Sequence, residues 1–142
     1  MTLSQALLNH NHPIEARESL LQFEKRFTES PLLPEARLLL SRTYIQEMNW
    51  PEALRGLEQW VVLYSNHVAA APAEFERAWV NYRAEKETNA FVLFTNYVTR
   101  FPTDPKVPWA HLWVADYFYR QGGAKYKEAE KYYQTLFQST NT

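Results

Sequence analysis

The chain has 142 residues, 46% hydrophobic and 15% aromatic, enough to bury one sizeable core and too apolar for a disordered segment. A formal net charge of −1 offers no general attraction to nucleic acid or to an anionic membrane surface. The absence of cysteine excludes a disulfide framework, a thiolate nucleophile and a cysteine-based zinc site.

Met1 to His10 lacks the basic start and long apolar core of a secretory signal, and no run of about 18 apolar residues exists to span a bilayer. A soluble chain without direct membrane insertion is expected. Prolines divide the sequence, because an interior helical proline loses a hydrogen bond and clashes with the preceding turn. Pro13, Pro31, Pro34, Pro51, Pro72, Pro102, Pro105 and Pro108 all fall before or between stretches whose apolar residues have helical spacing. With three glycines and few alternating runs, a sheet has little support.

Eight helices in four pairs follow. The first pair is a short segment, Leu3 to Asn9, then Pro13 to Glu29, on which Leu20, Phe23 and Phe27 share a face. The second is Pro34 to Met48 and Pro51 to Ser65, turned at Asn49 and Trp50, with prolines in the first turns where a missing amide hydrogen costs least. In the third, Pro72 to Glu85 and Thr88 to Arg100, Thr88 or Asn89 is expected to cap the second helix. The fourth is Val107 to Gln121 and Lys125 to Phe137, separated by Gly122 and Gly123, which adopt the positive φ that a helix end needs.

Ala16, Ala53, Ala90 and Ala129 recur at intervals of 37, 37 and 39 residues. Four positions after each stand Leu20, Leu57, Phe94 and Tyr133; seven after stand Phe23, Trp60, Tyr97 and Leu136. Ser41, Ala78 and Ala115 occupy a second small position in the preceding helices. Packed helices sit roughly 8 to 10 Å apart, the lower end requiring small side chains at the crossing, so these positions predict close helix contacts.

Leu40, Ser41, Tyr44, Ala53 and Leu57 form a spaced large, small, aromatic, alanine and large series; Ala78, Ala90, Phe94 and Pro102 repeat much of it, as do Ala115, Phe118, Gly122, Tyr126, Ala129 and Tyr133. Over nearly the whole chain this pattern resembles the tetratricopeptide repeat family, whose usual period of about 34 residues is exceeded here. The resemblance implies an all-α fold, an α-α superhelix of about four antiparallel helix pairs, at approximately residues 3–29, 34–65, 72–100 and 107–137, forming one repeat domain over 1–142. The stretch Phe94 to Phe137 further resembles the extended repeats of bacterial envelope proteins, of the outer-membrane assembly lipoprotein and Tol-Pal-associated periplasmic coordinator type. That similarity implies a bacterial scaffold with a lean to the periplasm or cell envelope, the cytoplasm being the alternative.

Helical repeats curve as they stack, and the first helix of each pair lines the concave face. Carrying the family's groove positions onto this chain nominates Arg42, Ile45 and Gln46 from the second pair; Trp79, Tyr82 and Arg83 from the third; and Trp113, Asp116, Tyr119 and Arg120 from the fourth. Aromatics supply rigid contact area, and arginine grips a carboxylate through two parallel hydrogen bonds. The opposing reading makes Trp79 and Trp113 packing residues between repeats and the arginines solvated or internally paired. Leu38 and Phe75 stand where a clamp for a terminal carboxylate would need cationic or polar contacts, which argues against that partner class.

A protein or peptide is therefore the expected partner, with nucleic acid disfavoured by charge. Neither a cofactor nor a metal is expected: His10 and His12 lack a third ligand, and His67 and His111 stand alone. No enzymatic activity is expected either, since Glu74, Glu76 and the acids at Glu85 and Glu87 read as a solvated face and no catalytic motif is present. Tyr132, Tyr133, Leu136 and Phe137 leave the last helix without an evident polar outer face. A segment of a longer repeat protein is expected from that, with self-association through the C-terminal helix as the other option, and a structural spacer or self-assembly module of a larger multidomain protein is the alternative function.

Overall fold

A computed structural model of the chain describes residues 11–122 and 126–140. The described residues form seven α-helices and no strand: α1 (Pro13–Arg26), α2 (Leu33–Gln46), α3 (Trp50–Leu63), α4 (Ala70–Arg83), α5 (Glu87–Arg100), α6 (Val107–Gln121) and α7 (Tyr126–Thr140). Each helix packs chiefly on the one before it and the one after. This is the all-α superhelical array that the repeat predicts. The expected helix at Leu3 to Asn9 lies outside the described residues, as do Gly123, Lys125 and the side chains of Tyr126, Tyr132, Leu136 and Phe137.

The helix ends differ from the sequence reading by a few residues. Trp50 opens α3 rather than completing the turn, and α4 begins at Ala70, two residues ahead of Pro72. The N-cap of α5 is Lys86, with no side-chain cap hydrogen bond, so neither Thr88 nor Asn89 caps that helix. None of α1 through α6 has a side-chain N-cap bond. Their first turns are fixed instead by backbone bonds that continue the helix outward, such as Ala53 N–H to Asn49 O at 3.0 Å and Ala90 N–H to Lys86 O at 2.9 Å.

The connections are copies of two designs. One left-handed residue stands shortly before α1, in the turns before α3 and α5, and after α6: Asn11, Met48, Glu85 and Gly122, with φ of 62°, 58°, 64° and 71°, recur at intervals of 37. Only the last is glycine. The two additional residues of the final interval therefore lie between Gly122 and Ala129. The loops between pairs repeat as well. Ser30, His67 and Asp104 each donate a backbone N–H back to Phe27, Tyr64 and Phe101, and each side chain then accepts the amide two residues on, at Leu32, Ala69 and Lys106, at 3.0 to 3.1 Å. His67, solitary in sequence, takes the same turn-closing part as a serine and an aspartate through Nδ1.

The small positions lie at the helix crossings. Ala16, Ala53 and Ala90 are fully buried and Ala129 is 1% exposed; Ser41, Ala78 and Ala115 are buried in the partner helices. The large residues that answer them, Leu20, Leu57, Phe94, Trp60 and Tyr97, are buried too, each worth about 1.5–3 kcal/mol of transfer free energy. Polar tips are satisfied: Trp60 Nε1 donates to Pro34 O at 2.7 Å, and the Tyr97 hydroxyl donates to Asp104. Burial, reinforced by that carboxylate, pushes the Tyr97 phenol far up.

Candidate functional site

The first helices of successive pairs, α2, α4 and α6, together wall a groove of about 630 Å³. Arg42, Ile45 and Gln46 from α2 line it, with Glu76 and Trp79 from α4 and Trp109 from α6. The helical period explains the set: residues 42, 45 and 46 share one face of α2, and a shift of 37 carries Arg42 onto Trp79.

Glu76 joins two of the walls. Arg42 Nε donates to its Oε1 at 2.8 Å, while Oε2 is buried without a hydrogen-bond partner among the described residues. Burial raises the Glu76 pKa above its ordinary value, against the opposing pull of Arg42 and, more weakly, Lys106. Lys106 itself sits 4.8 Å from the centroid of the Phe75 ring, and Trp109 packs edge-on to the same ring at 5.3 Å. Beside Trp79, the Arg83 guanidinium lies 5.5 Å from that ring and 5.7 Å from Trp50. Both cations rest on aromatic faces and remain exposed to solvent.

The nominated residues divide into three groups. Arg42, Ile45, Gln46 and Trp79 line the groove, and Tyr82 with Arg83 lines a neighbouring, more open cleft beside Glu85, Glu87 and Thr88. Trp113 is 7% exposed and enclosed by Phe94, Tyr117 and Tyr82 at 4.8, 5.7 and 5.6 Å, so it is a packing residue rather than groove surface. Asp116, Tyr119 and Arg120 are exposed on α6 but do not line the groove. The Tyr133 hydroxyl donates to Asp116, which, with some burial, pushes that phenol up to about 12, and Arg120 Nη1 donates to both Glu87 oxygens at 2.9 and 3.1 Å.

Leu38, expected at a groove position, is 3% exposed and belongs to the core; its neighbour Leu39 borders the groove instead. Pro105, Lys106 and Trp109 line the groove without having been nominated from the repeat. They come from the loop before α6 and its first turn. The residues 37 positions earlier are Val68, Ala69 and Pro72, so no periodic signal marks them.

Several carboxylates are held in ion pairs, Glu74 with Arg77 and Arg100, Glu76 with Arg42 and Glu58 with Arg77. Among the described residues no cluster of histidine and acidic side chains has the makings of a metal site, and no helix is long and apolar enough to cross a membrane.

No protein-family model and no curated protein matches the chain. Solved structures do resemble it. MamA superposes with a TM-score of 0.79 at 18% identity, over 99% of this chain and 76% of that one. The Podosopora anserina putative kinesin light chain, with nearly identical TPR-like repeats, gives 0.71 at 20% identity over 96% of this chain and 71% of that one. A point variant of the same protein gives 0.73 at 18% identity over 99% and 74%. At these identities the likeness is one of fold, and the fold is a TPR-like helical superhelix.

Proposed function

We propose that the chain is a protein-interaction scaffold whose concave groove holds an extended segment of a partner protein. The observation that carries this reading is the groove itself: a concavity of about 630 Å³ walled by three separate helices, with Trp109 42% exposed inside it. An aromatic held in place by its neighbours and still open to solvent offers contact area at little entropic cost. The scaffold operates by contact alone, with no catalytic step assigned to any residue. Replacing Trp79 and Arg83 together by alanine is expected to abolish co-purification with the native partner while far-UV circular dichroism stays unchanged. Retained co-purification would reject this groove. The envelope setting rests on the sequence resemblance, and cell fractionation of the native host tests it.

A second reading, a structural module that stacks through its α6–α7 end, is favoured by one comparison along the 37-residue repeat. Leu38 and Phe75 are buried, 3% and 6% exposed, whereas Leu112 at the equivalent place on α6 is 40% exposed. Light scattering on Leu112→Glu separates the two: an association lost in that variant supports stacking.

A further inference from the structure

We propose that the occupant of the groove is acidic: an extended peptide that seats a large apolar side chain against Phe75, Trp79 and Trp109 and presents carboxylates to Arg83 and Lys106. This rests on the groove reading above and adds the chemistry of the partner.

The basis is the way charge is distributed. Seven of the nine arginines have a carboxylate within 4.0 Å; Arg83 and Arg26 do not, among the described residues. Lys106 likewise forms no ion pair among the described residues, and its attraction to Glu76 is the weakest of the influences on that acid. Arg26 lies at the far end of α1, over Phe27, whereas Lys106 lines the groove and Arg83 the cleft beside it. Of the acids at this face, Glu76 is engaged by Arg42 and Glu87 by Arg120, while Glu85 shares the cleft with Arg83 without an ion pair to it within 4.0 Å. A chain of net charge −1 thus sets two cations without an ion-pair partner among the described residues, against the single acid Glu85, along this side.

These cations are also oriented. The Arg83 guanidinium lies over two indoles and the Lys106 ammonium over Phe75, so the charged groups themselves rest on the aromatic wall in residues that stay exposed to solvent. A guanidinium fixed in this way keeps its planar fork for a carboxylate and loses little rotamer freedom on binding. The half-buried Trp79 and the exposed Trp109 between them suit an apolar side chain. Two such cations are few for a nucleic acid, whose affinity grows with the number of phosphates neutralised. They are sufficient for a peptide bearing one or two carboxylates.

The test is selection from a random-peptide display library on the intact chain, followed by fluorescence anisotropy of the recovered peptides. The expected peptides are enriched in Asp and Glu beside a large apolar residue. Arg83→Gln with Lys106→Gln is expected to weaken them by about tenfold or more, the scale of one charge-assisted hydrogen bond, and Arg83→Glu with Lys106→Glu to reverse the preference toward basic peptides. Peptides without acidic bias that still require Trp79 would overturn the acid selectivity and leave the groove reading standing. Peptides indifferent to Trp79→Ala, or no recovered peptides, would overturn both. A single-stranded oligouridine that displaces the peptides with equal affinity would assign the groove to nucleic acid instead.

Discussion

Gly56 on α3 lies directly over Ser41 on α2: a Cβ added at Gly56 would overlap the Ser41 hydroxyl oxygen. The second small position and the only glycine in a described helix are thus two sides of one contact. Alanine at Gly56 gains about 0.5–1 kcal/mol of helix propensity but forces the hydroxyl aside. Gly56→Ala is therefore expected to be near neutral, and Ser41→Ala combined with Gly56→Ala to exceed it in stability by about 1 kcal/mol. A double-mutant cycle of chemical denaturation checks this, and strict additivity would refute the contact.

Ala53 is fully buried at the neighbouring crossing. Ala53→Leu is expected to lower stability by about 1–3 kcal/mol through overpacking, read as a lower denaturation midpoint with unchanged slope.

Met48 and Glu85 adopt left-handed backbone without being glycine, and Met48 is largely exposed. Met48→Gly is expected to stabilise by roughly 0.5–1 kcal/mol, because glycine takes this conformation without steric cost. Met48→Val is expected to destabilise, since a β-branched side chain fits it worst. Thermal midpoints of the two variants should move in opposite directions.

His67 closes its loop by accepting the Ala69 amide, as Ser30 and Asp104 do for theirs. His67→Asp should keep the turn, while His67→Ala should cost about 1 kcal/mol, the net value of one hydrogen bond. Equal losses in both would show that the ring packing on Trp60 at 5.7 Å matters more than the acceptor.

Glu76 binds its proton more tightly in the folded chain than in the unfolded one, because burial outweighs the pull of Arg42. Its ionisation therefore opposes folding: the cost is absent below the ordinary value of 4.5 and grows as pH rises from there through the folded value. Carboxyl NMR should place its midpoint above 4.5, and Arg42→Gln should move it higher still. A midpoint at or below 4.5 would contradict the burial.

Helix type, pairing and the small positions were legible because proline placement and a helical apolar period act locally, and because Ala16, Ala53, Ala90 and Ala129 repeat. The turns were not: Met48 and Glu85 carry no sequence mark of their backbone, and surrounding bonds such as Asn49 N–H to Tyr44 O impose it. Of the groove, the α2 side and Trp79 followed from the repeat. Lys106 and Trp109 did not, since they reach across from a loop and a first turn where each repeat differs. Trp113 shares its helix with exposed residues, and only three-dimensional packing reveals the rings of Phe94 and Tyr117 closed around it.

Packing that runs from each helix mainly to its chain neighbours leaves α2, α4 and α6 joined through a few side chains, Arg42 to Glu76 and Phe75 to Trp109 among them. The spacing of these helices sets the pitch of the superhelix. A partner lodged between these helices therefore meets few direct contacts to displace, and small-angle scattering with and without it would read any change in their spacing.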